Sequence, residues 1–577
     1  MVKIGFSDHW VKLLMLCVKT VSYSILVNGE PKGMITPTRG IRQGDPLSPF
    51  LFLLCTEGLH GLITQATTQG DIKGYSLCRN GPRLTHLLFA DDSLLFCRAT
   101  IRECQKILDI LEVYGSCSGQ QINRNKTIFF SKATSEDTRN RIKIALGVPK
   151  ITQYEKYLGL PSLVGRNKKA SFNYIKERVW KKIQGWKEKV LSQAGREILI
   201  KAVVQAIPTY TMSCFKLPLD LCLKIEILIR RFWWGQNGER RKIHWVKWNT
   251  LCQPKNEGNM GFKDLANFND TLLAKQAWRL LHNKNSLFYK VFKPKFFPDC
   301  SILEATDSMS GSYARRSILQ GRDVLLRGAR WGVGCGDSIS VWNDAWLPSL
   351  HYYPRIKSQV VSGFEEAKVS ELINPVTRRW DTNLLRGLFH PTEVDLILSI
   401  PLSPIPVEDK IMWPFNSSGV YSVKSGSRFL ANEAILSTSQ ANQHQHKDIW
   451  KRIWSLPVPN KVQNFLWRAC RDAIPVKWNL RKRKILTDDV CEHCHSAPET
   501  TYHALWECSK IFEVWEAMPG CEFRQVRSFS SFRELMDFGF SEDKNMELMV
   551  MVMWTLWNCR NRSKRGTWIS PDRKSVV

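Results

Sequence analysis

The chain has 577 residues, 43% of them hydrophobic and 11% aromatic, a composition that supports real hydrophobic cores and excludes an intrinsically disordered protein. Lysine and arginine number 83 against 53 aspartates and glutamates, and the resulting formal charge of +30 favours a polyanionic partner, nucleic acid first. The 17 cysteines are odd in number and scattered, with no signal peptide ahead of them, which excludes a secreted disulfide scaffold and predicts reduced thiols in an intracellular setting, nucleus or cytoplasm. The longest apolar run, residues 548–557, is far short of the roughly 20 residues that cross a bilayer, so no membrane partner is expected.

In chain order, residues 1–10 lead into the helical pattern Val11 to Val18 with no cap or start signal, so the chain is expected to begin inside a domain. Residues 20–27 and 33–38 read as strands around an Asn28-Gly29 turn, a strong hairpin signal. The loop Gly40-Ile41-Arg42-Gln43-Gly44-Asp45-Pro46-Leu47-Ser48-Pro49 then opens onto an apolar helix beginning at Phe50. Asp45 or Ser48 can cap that helix, and Pro46 or Pro49 suits its first position, where a missing N–H costs nothing. The two glycines let the backbone approach a ligand, and Arg42 and Gln43 offer donors to a phosphate or a base edge. Without further context the same stretch reads equally as a capped loop-helix junction.

Residues 86–97 carry two short apolar runs, Leu87-Leu88-Phe89-Ala90 and Leu94-Leu95-Phe96-Cys97, around the acidic pair Asp91-Asp92. The pattern predicts a β-hairpin with two carboxylates at its tip. Its turn lacks the glycine that tight hairpins prefer, and adjacent like charges raise each other's pKa unless a cation sits between them. A metal site resolves that conflict, while an ordinary solvated Asp-Asp turn is the alternative.

The loop at 40–49, Phe89-Ala90-Asp91-Asp92, the segment 119–127 and Tyr157-Leu158-Gly159 stand in the order and spacing of a reverse transcriptase palm, and the chain resembles the non-LTR (LINE-type) retrotransposon polymerases of plants. The resemblance implies an α+β fold: a partial right-hand palm over residues 1–165, a helical thumb and linker over 166–350 and a connecting region over 351–440. A zinc-binding domain over 441–520 and a helical segment over 521–577 complete it. It implies that Asp91 and Asp92 hold Mg²⁺ ions, because hard divalent cations need carboxylate oxygens on a rigid support. It further implies that Arg42, Gln43 and Gly44 lie against template and nucleotide, that Lys126 sits near the pyrophosphate, and that residues 157–161 grip the primer. An RNA template, a DNA primer and deoxynucleoside triphosphates are the implied partners. In this family another catalytic aspartate and the fingers precede the segment matching residues 5–10, so the resemblance predicts a truncated, catalytically impaired RNA-directed DNA polymerase. Asp8, in the helix after that strand, is not expected to substitute. A non-catalytic nucleic-acid-binding protein derived from a retrotransposon is the alternative.

Beyond Pro161, Phe172, Ile175, Val179, Ile183 and Trp186 recur at helical spacing among Lys176, Arg178, Lys181, Lys182, Lys187 and Lys189. This basic amphipathic helix is either a solvated face over a core stripe or a thumb that tracks a nucleic-acid backbone. Residues 230–234 and 240–248 mix arginines and lysines with tryptophans that can stack bases, although tryptophans in such number more often anchor cores. Gly332-Val333-Gly334-Cys335-Gly336 is no dinucleotide loop, since a β-like run at 338–342 follows it in place of a helix. Cys491, Cys494, His503 and Cys508 have a close thiolate pair followed by a His/Cys pair, which suits a closed tetrahedral Zn²⁺ site, with His493 and His495 as competing ligands. The stretch 450–515 around them resembles the zinc-binding domain that follows plant LINE polymerases. The basic run Arg481-Lys482-Arg483-Lys484 reads as a phosphate contact, a nuclear address or a solvated turn. Residues 553–562 resemble the family's segment before an RNase H domain, which is not expected within 577 residues, nor is an N-terminal endonuclease.

Overall fold

The computed structural model describes residues 1–38, 40–42, 44–79, 81–121, 123, 130, 133–147, 156–161, 164–187, 191–235, 242–306, 311–348, 355–437, 447–542 and 544–563. They form two compact units, Met1–Val164 with Asn283–Ser301, and Gly165–His282 with Ile302–Val577.

The first unit opens with α1 (Asp8–Lys19), whose N-cap is Ser7, its side chain accepting the Trp10 N–H. A start signal therefore does precede the apolar run, one turn earlier than the run itself. Strands β1 (Tyr23–Val27) and β2 (Glu30–Ile35) pair antiparallel, and Asn28 and Gly29 between them both take left-handed φ, 54° and 85°, as an Asn-Gly turn allows without strain. Helix α2 (Ser48–Thr68) carries a proline in its first turn and no side-chain cap. Asp45 Oδ1 instead accepts the Leu47 N–H at 2.7 Å, and Ser48 Oγ donates to the Arg42 carbonyl at 2.7 Å. Both expected caps are thus used to fix the preceding loop, because the proline already removes one of the N–H groups a cap would satisfy.

Two short strands, β3 (Tyr75–Ser76) and β4 (Arg83–Leu84), pair next, followed by the hairpin β5 (His86–Phe89) and β6 (Asp92–Leu95). Helix α3 (Ile101–Ser118) is capped by Thr100 and ends at Gly119, whose φ of 74° closes the last turn. Leu59, Ile63 and Ala66 of α2 meet Ile110 and Tyr114 of α3 in a buried cluster, and Leu88 and Leu95 of the hairpin pack against it. The strands are thereby bolted by one apolar face to a two-helix support. Helix α4 (Glu136–Leu146) packs on α3, and β7 (Lys156–Tyr157) pairs with β8 (Leu160–Pro161) through a Leu158-Gly159 turn with φ of 48° and 77°.

The second unit is mostly helical. In α5 (Lys168–Lys187), Phe172, Ile175, Val179 and Ile183 are buried, so the apolar stripe is core and packs on the helix Leu219–Trp233. Phe232, Trp233, Trp234 and Trp248 are buried too, which makes these aromatics core anchors and unavailable to a base. Helix Leu265–His282 runs against helix Tyr313–Gly328 so closely that a Cβ on Gly321 would lie 2.5 Å from the Ala274 nitrogen. Residues 339–397 build a core of their own around Trp346, Leu372, Leu385 and Ile397. In the run expected to be β-like, the one recorded pairing is a single bridge, Ser340 to Lys368. The Gly-rich turn before it is held by Asp409, whose carboxylate accepts the N–H groups of Gly334, Gly336 and Ser338 at 2.7–2.9 Å.

Tyr421 Oη donates to the Thr271 carbonyl at 3.0 Å and Lys275 Nζ to the Tyr421 carbonyl at 2.7 Å, which joins the segment after 410 to the long helix. Trp467 Nε1, on helix Asn460–Cys470, donates to the Gly258 carbonyl at 2.8 Å, and helix Met546–Ser563 packs on the same helix. No described helix is long and apolar enough to cross a membrane.

Candidate metal centres

The first centre is the β5–β6 tip. Phe89 pairs with Asp92, leaving Ala90 and Asp91 as a two-residue turn, and Ala90 supplies the left-handed conformation, φ 47°, that a glycine would adopt more readily. Such a residue costs roughly 1–2 kcal/mol, so the packed strands must over-determine the turn. Asp91 is exposed and Asp92 half-buried. Tyr157 of β7 lies within electrostatic reach: burial first, and then the negative charge of Asp92, push its phenol above the usual range. The root of the hairpin is fixed by His86, whose Nε2 is 2.8 Å from His60 Nδ1 on α2.

The loop before α2 keeps Gly40 and Gly44 at φ 86° and 82°, with nothing within 4 Å of an added Cβ at either, so backbone conformation and not crowding requires glycine there. Arg42 is exposed. With Tyr23, Asp45, Leu47 and Leu51 it lines an open cleft. Gln43 and Lys126 lie outside the described residues.

The second centre gathers Cys491, Cys494, His503 and Cys508, whose ligand atoms all lie within 4.8 Å of one another. Among the described residues this is the one group of three or more His, Cys, Asp or Glu side chains so disposed, and neither His493 nor His495 joins it. The first two ligands sit on a tight loop in which Cys491 N–H donates to Ala497 O at 2.9 Å and His495 N–H to Cys491 O at 3.0 Å, with His495 left-handed at φ 55°. The other two bracket one π-helical turn, His503–Glu507, closed by Cys508 N–H donating to His503 O at 3.0 Å.

His503 turns Nε2 to Cys494 Sγ at 3.3 Å, while its buried Nδ1 has no hydrogen-bond partner and faces Glu507 Oε2 at 3.7 Å. Glu507 thus stands on the side of the ring from which a carboxylate, once within hydrogen-bond distance, would orient a metal-binding imidazole. Burial pushes the Cys494 thiol up, but the Ser496 hydroxyl, the N–H groups of Ser496 and Ala497 and the Cys491 thiol outweigh it and bring it down to about 6. Burial, with Cys491 and Cys494 nearby, pushes Cys508 up to about 12. Three sulfurs and one imidazole nitrogen at this spacing suit a tetrahedral zinc. In chain stripped of metal and held at pH 7, iodoacetamide is expected to label Cys494 well before Cys508, with peptide mapping as the readout; equal rates would contradict the assigned thiolate.

Glu507 and the Ser496-Ala497 N–H groups are contributions that spacing did not reveal, although two amides two and three residues after a zinc-type cysteine are a readable signal. The basic run that ends the helix Lys477–Lys482 and continues to Lys484 is partly structural. Arg481 pairs with Asp489 at 2.6 Å, and Arg483 donates to the Trp245 carbonyl at 2.8 Å with its guanidinium over that ring.

A carboxylate-tipped hairpin bolted to two helices, with a separate Cys₃His module, defines a polymerase-type palm joined to a zinc-binding domain. Residues 2–173 match the family model for reverse transcriptase (RNA-dependent DNA polymerase), and residues 422–515, which contain all four Cys₃His residues, match that for zinc-binding in reverse transcriptase. An uncharacterized mitochondrial protein of Arabidopsis thaliana is 41% identical over 143 residues, 25% of this chain and 93% of that protein. An Arabidopsis thaliana protein provisionally named as a ribonuclease H is 29% identical over 420 residues, 70% of this chain. The chain spans 65% of that relative's length. The uncharacterized 149 kDa protein of transposon TX1 from Xenopus laevis is 25% identical over 288 residues, 48% of this chain and 20% of that protein. By these matches the chain belongs with the reverse transcriptases that carry a C-terminal zinc-binding domain.

Proposed function

We propose that the chain binds an RNA template and a DNA primer as part of a retroelement's RNA-directed DNA synthesis, and that these 577 residues by themselves are catalytically impaired. Asp91 and Asp92 are the palm's Mg²⁺ ligands in this reading, Arg42, Gln43 and Gly44 face template and nucleotide, Lys126 serves the pyrophosphate, and deoxynucleoside triphosphates are the substrates. Cys491, Cys494, His503 and Cys508 hold a structural zinc.

One observation supports the impairment: among the described residues, no third His, Cys, Asp or Glu forms a metal-binding group with Asp91 and Asp92. The oxygens of the pair suit Mg²⁺, but a site that clamps both attacking and leaving oxygens needs more ligands than two adjacent carboxylates provide. The described residues therefore do not fit a complete two-metal centre.

The test is primer extension on an RNA template with Mg²⁺. The chain is expected to give no more product than Asp91→Ala. Template-dependent synthesis that Asp91→Ala abolishes would overturn the impairment.

A second reading, a non-catalytic nucleic-acid binder, draws on α5, where Trp180 is 47% exposed beside the exposed Arg178, Lys181 and Lys182. Salt titration of single-stranded RNA binding tests it in the same preparations. Affinity should fall linearly on a log–log plot against salt, with a shallower slope for the Lys181→Ala, Lys182→Ala pair.

A further inference from the structure

Cys97 leaves β6 two residues past Leu95, and Cys104 lies buried in the first turn of α3. Their Sγ atoms are 3.9 Å apart. The connecting turn is held at several points. Thr100 caps α3 by accepting the Glu103 N–H at 3.4 Å, and Glu103, itself buried, accepts the N–H groups of Arg98 at 3.0 Å and Lys73 at 3.3 Å. Two thiols are therefore presented to each other by a fixed turn, within a side-chain rotation of the S–S bond length of about 2 Å. Neither belongs to the zinc group or to the palm residues discussed above.

We propose that Cys97 and Cys104 are a reversible disulfide site, closed by a hydroperoxide, that fastens the strand carrying Asp92 to α3. The hydrogen bond between the two thiols raises Cys97 and lowers Cys104, which makes Cys104 the thiolate of the pair. Cys104 Sγ attacks one peroxide oxygen, the S–O bond forms as the O–O bond breaks, and hydroxide leaves. Cys97 Sγ then gives up its proton and attacks the sulfenic sulfur; the S–S bond forms, the S–O bond breaks, and the second oxygen departs as water. Two thiols are oxidised and one hydroperoxide is reduced to two waters when it is hydrogen peroxide. Dithiothreitol reverses the change by thiol exchange.

The full, zinc-loaded chain is titrated with hydrogen peroxide, quenched with N-ethylmaleimide under denaturing conditions and digested with trypsin. Cuts after Arg83, Arg98, Arg102 and Lys106 place the two cysteines on separate peptides, 84–98 and 103–106, so their linkage is read directly from mass. The expected result is that this linked pair becomes the main form of both cysteines at doses that leave the exposed Cys117 alkylated, and that it vanishes with dithiothreitol. In Cys97→Ser, Cys104 is expected to be trapped by dimedone as the sulfenic acid; the unmodified chain's peptide map decides the matter if that variant does not fold. Finding both cysteines alkylated at doses that oxidise Cys117, or Cys104 linked elsewhere, overturns the proposal.

Discussion

Cys491→Ala is expected to hold well under half an equivalent of zinc where the parent holds about one, and to melt well below the parent. Cys491 is buried, and the 503–508 turn is packed from behind, where Leu505 is buried and Trp506 lies against Trp515 and Phe523. Binding of roughly 10–16 kcal/mol at structural zinc sites is of the order of the 5–15 kcal/mol that holds a typical domain, so the metal-free chain should melt far below the loaded one. Metal analysis after gel filtration, beside thermal melts with and without chelator, is the measurement. A parent chain with less than about half an equivalent of zinc would count against the four-ligand site.

The sign of the pH effect follows from the thiols of the metal-stripped chain. Cys494, lowered from 9.0 to about 6, contributes stability that is complete above the unfolded value and is lost as pH falls through 6. Cys508, raised to about 12, contributes stability that is complete below 9.0 and is lost as pH rises towards 12. The stripped module should therefore be most stable near pH 9.

The second large effect is expected at Arg560→Leu. Glu499 is fully buried next to the zinc loop, and Arg560 on the last described helix is 8% exposed. Arg560 Nε donates to Glu499 Oε1 at 2.9 Å, and the second carboxylate oxygen accepts both from Arg560 Nη2 and from the Lys477 N–H at 2.8 Å. Removing the guanidinium leaves a buried carboxylate without its counter-charge, a defect of about 3–5 kcal/mol. Urea unfolding should show a lower midpoint with unchanged slope. The double variant Glu499→Leu, Arg560→Leu should recover a large part of the loss, since an apolar pair of similar volume has no charge to strand; no recovery would mean that the arginine acts through packing alone.

What the sequence disclosed and what it hid divide along contact distance. Two of the first unit's hairpins are readable from turn chemistry, Asn28-Gly29 in one and an acidic pair between apolar runs in the other. The stripe of α5 was readable because its period is local, and the zinc ligands because their spacing is. Ser7 caps α1 from one turn ahead of the apolar run, where the pattern of the run itself gives no sign of it. The cap roles offered to Asp45 and Ser48 failed because a proline follows and the loop needed those side chains. Contacts such as Glu499 with Arg560, or Asp409 with the Gly-rich turn, leave no local mark, since only the folded chain brings residues 60 or more positions apart together. Whether a tryptophan in a basic run faces a base or a core is hidden in the same way, and Trp233 and Trp234 went inward.

The Asp409 contact also bears on how this part of the chain folds. A turn rich in glycine has the most backbone freedom to lose, and the three amides it points inward find their acceptor more than 70 residues downstream. Ser370 and Arg378 bond the carbonyls of Gly336 and Gly334, but the three amides wait for Asp409, so the turn is completed only after the 339–397 core has formed between its two ends. A ribosome that has not yet delivered Asp409 therefore leaves the Gly-rich turn without the acceptor of its inward-facing amides.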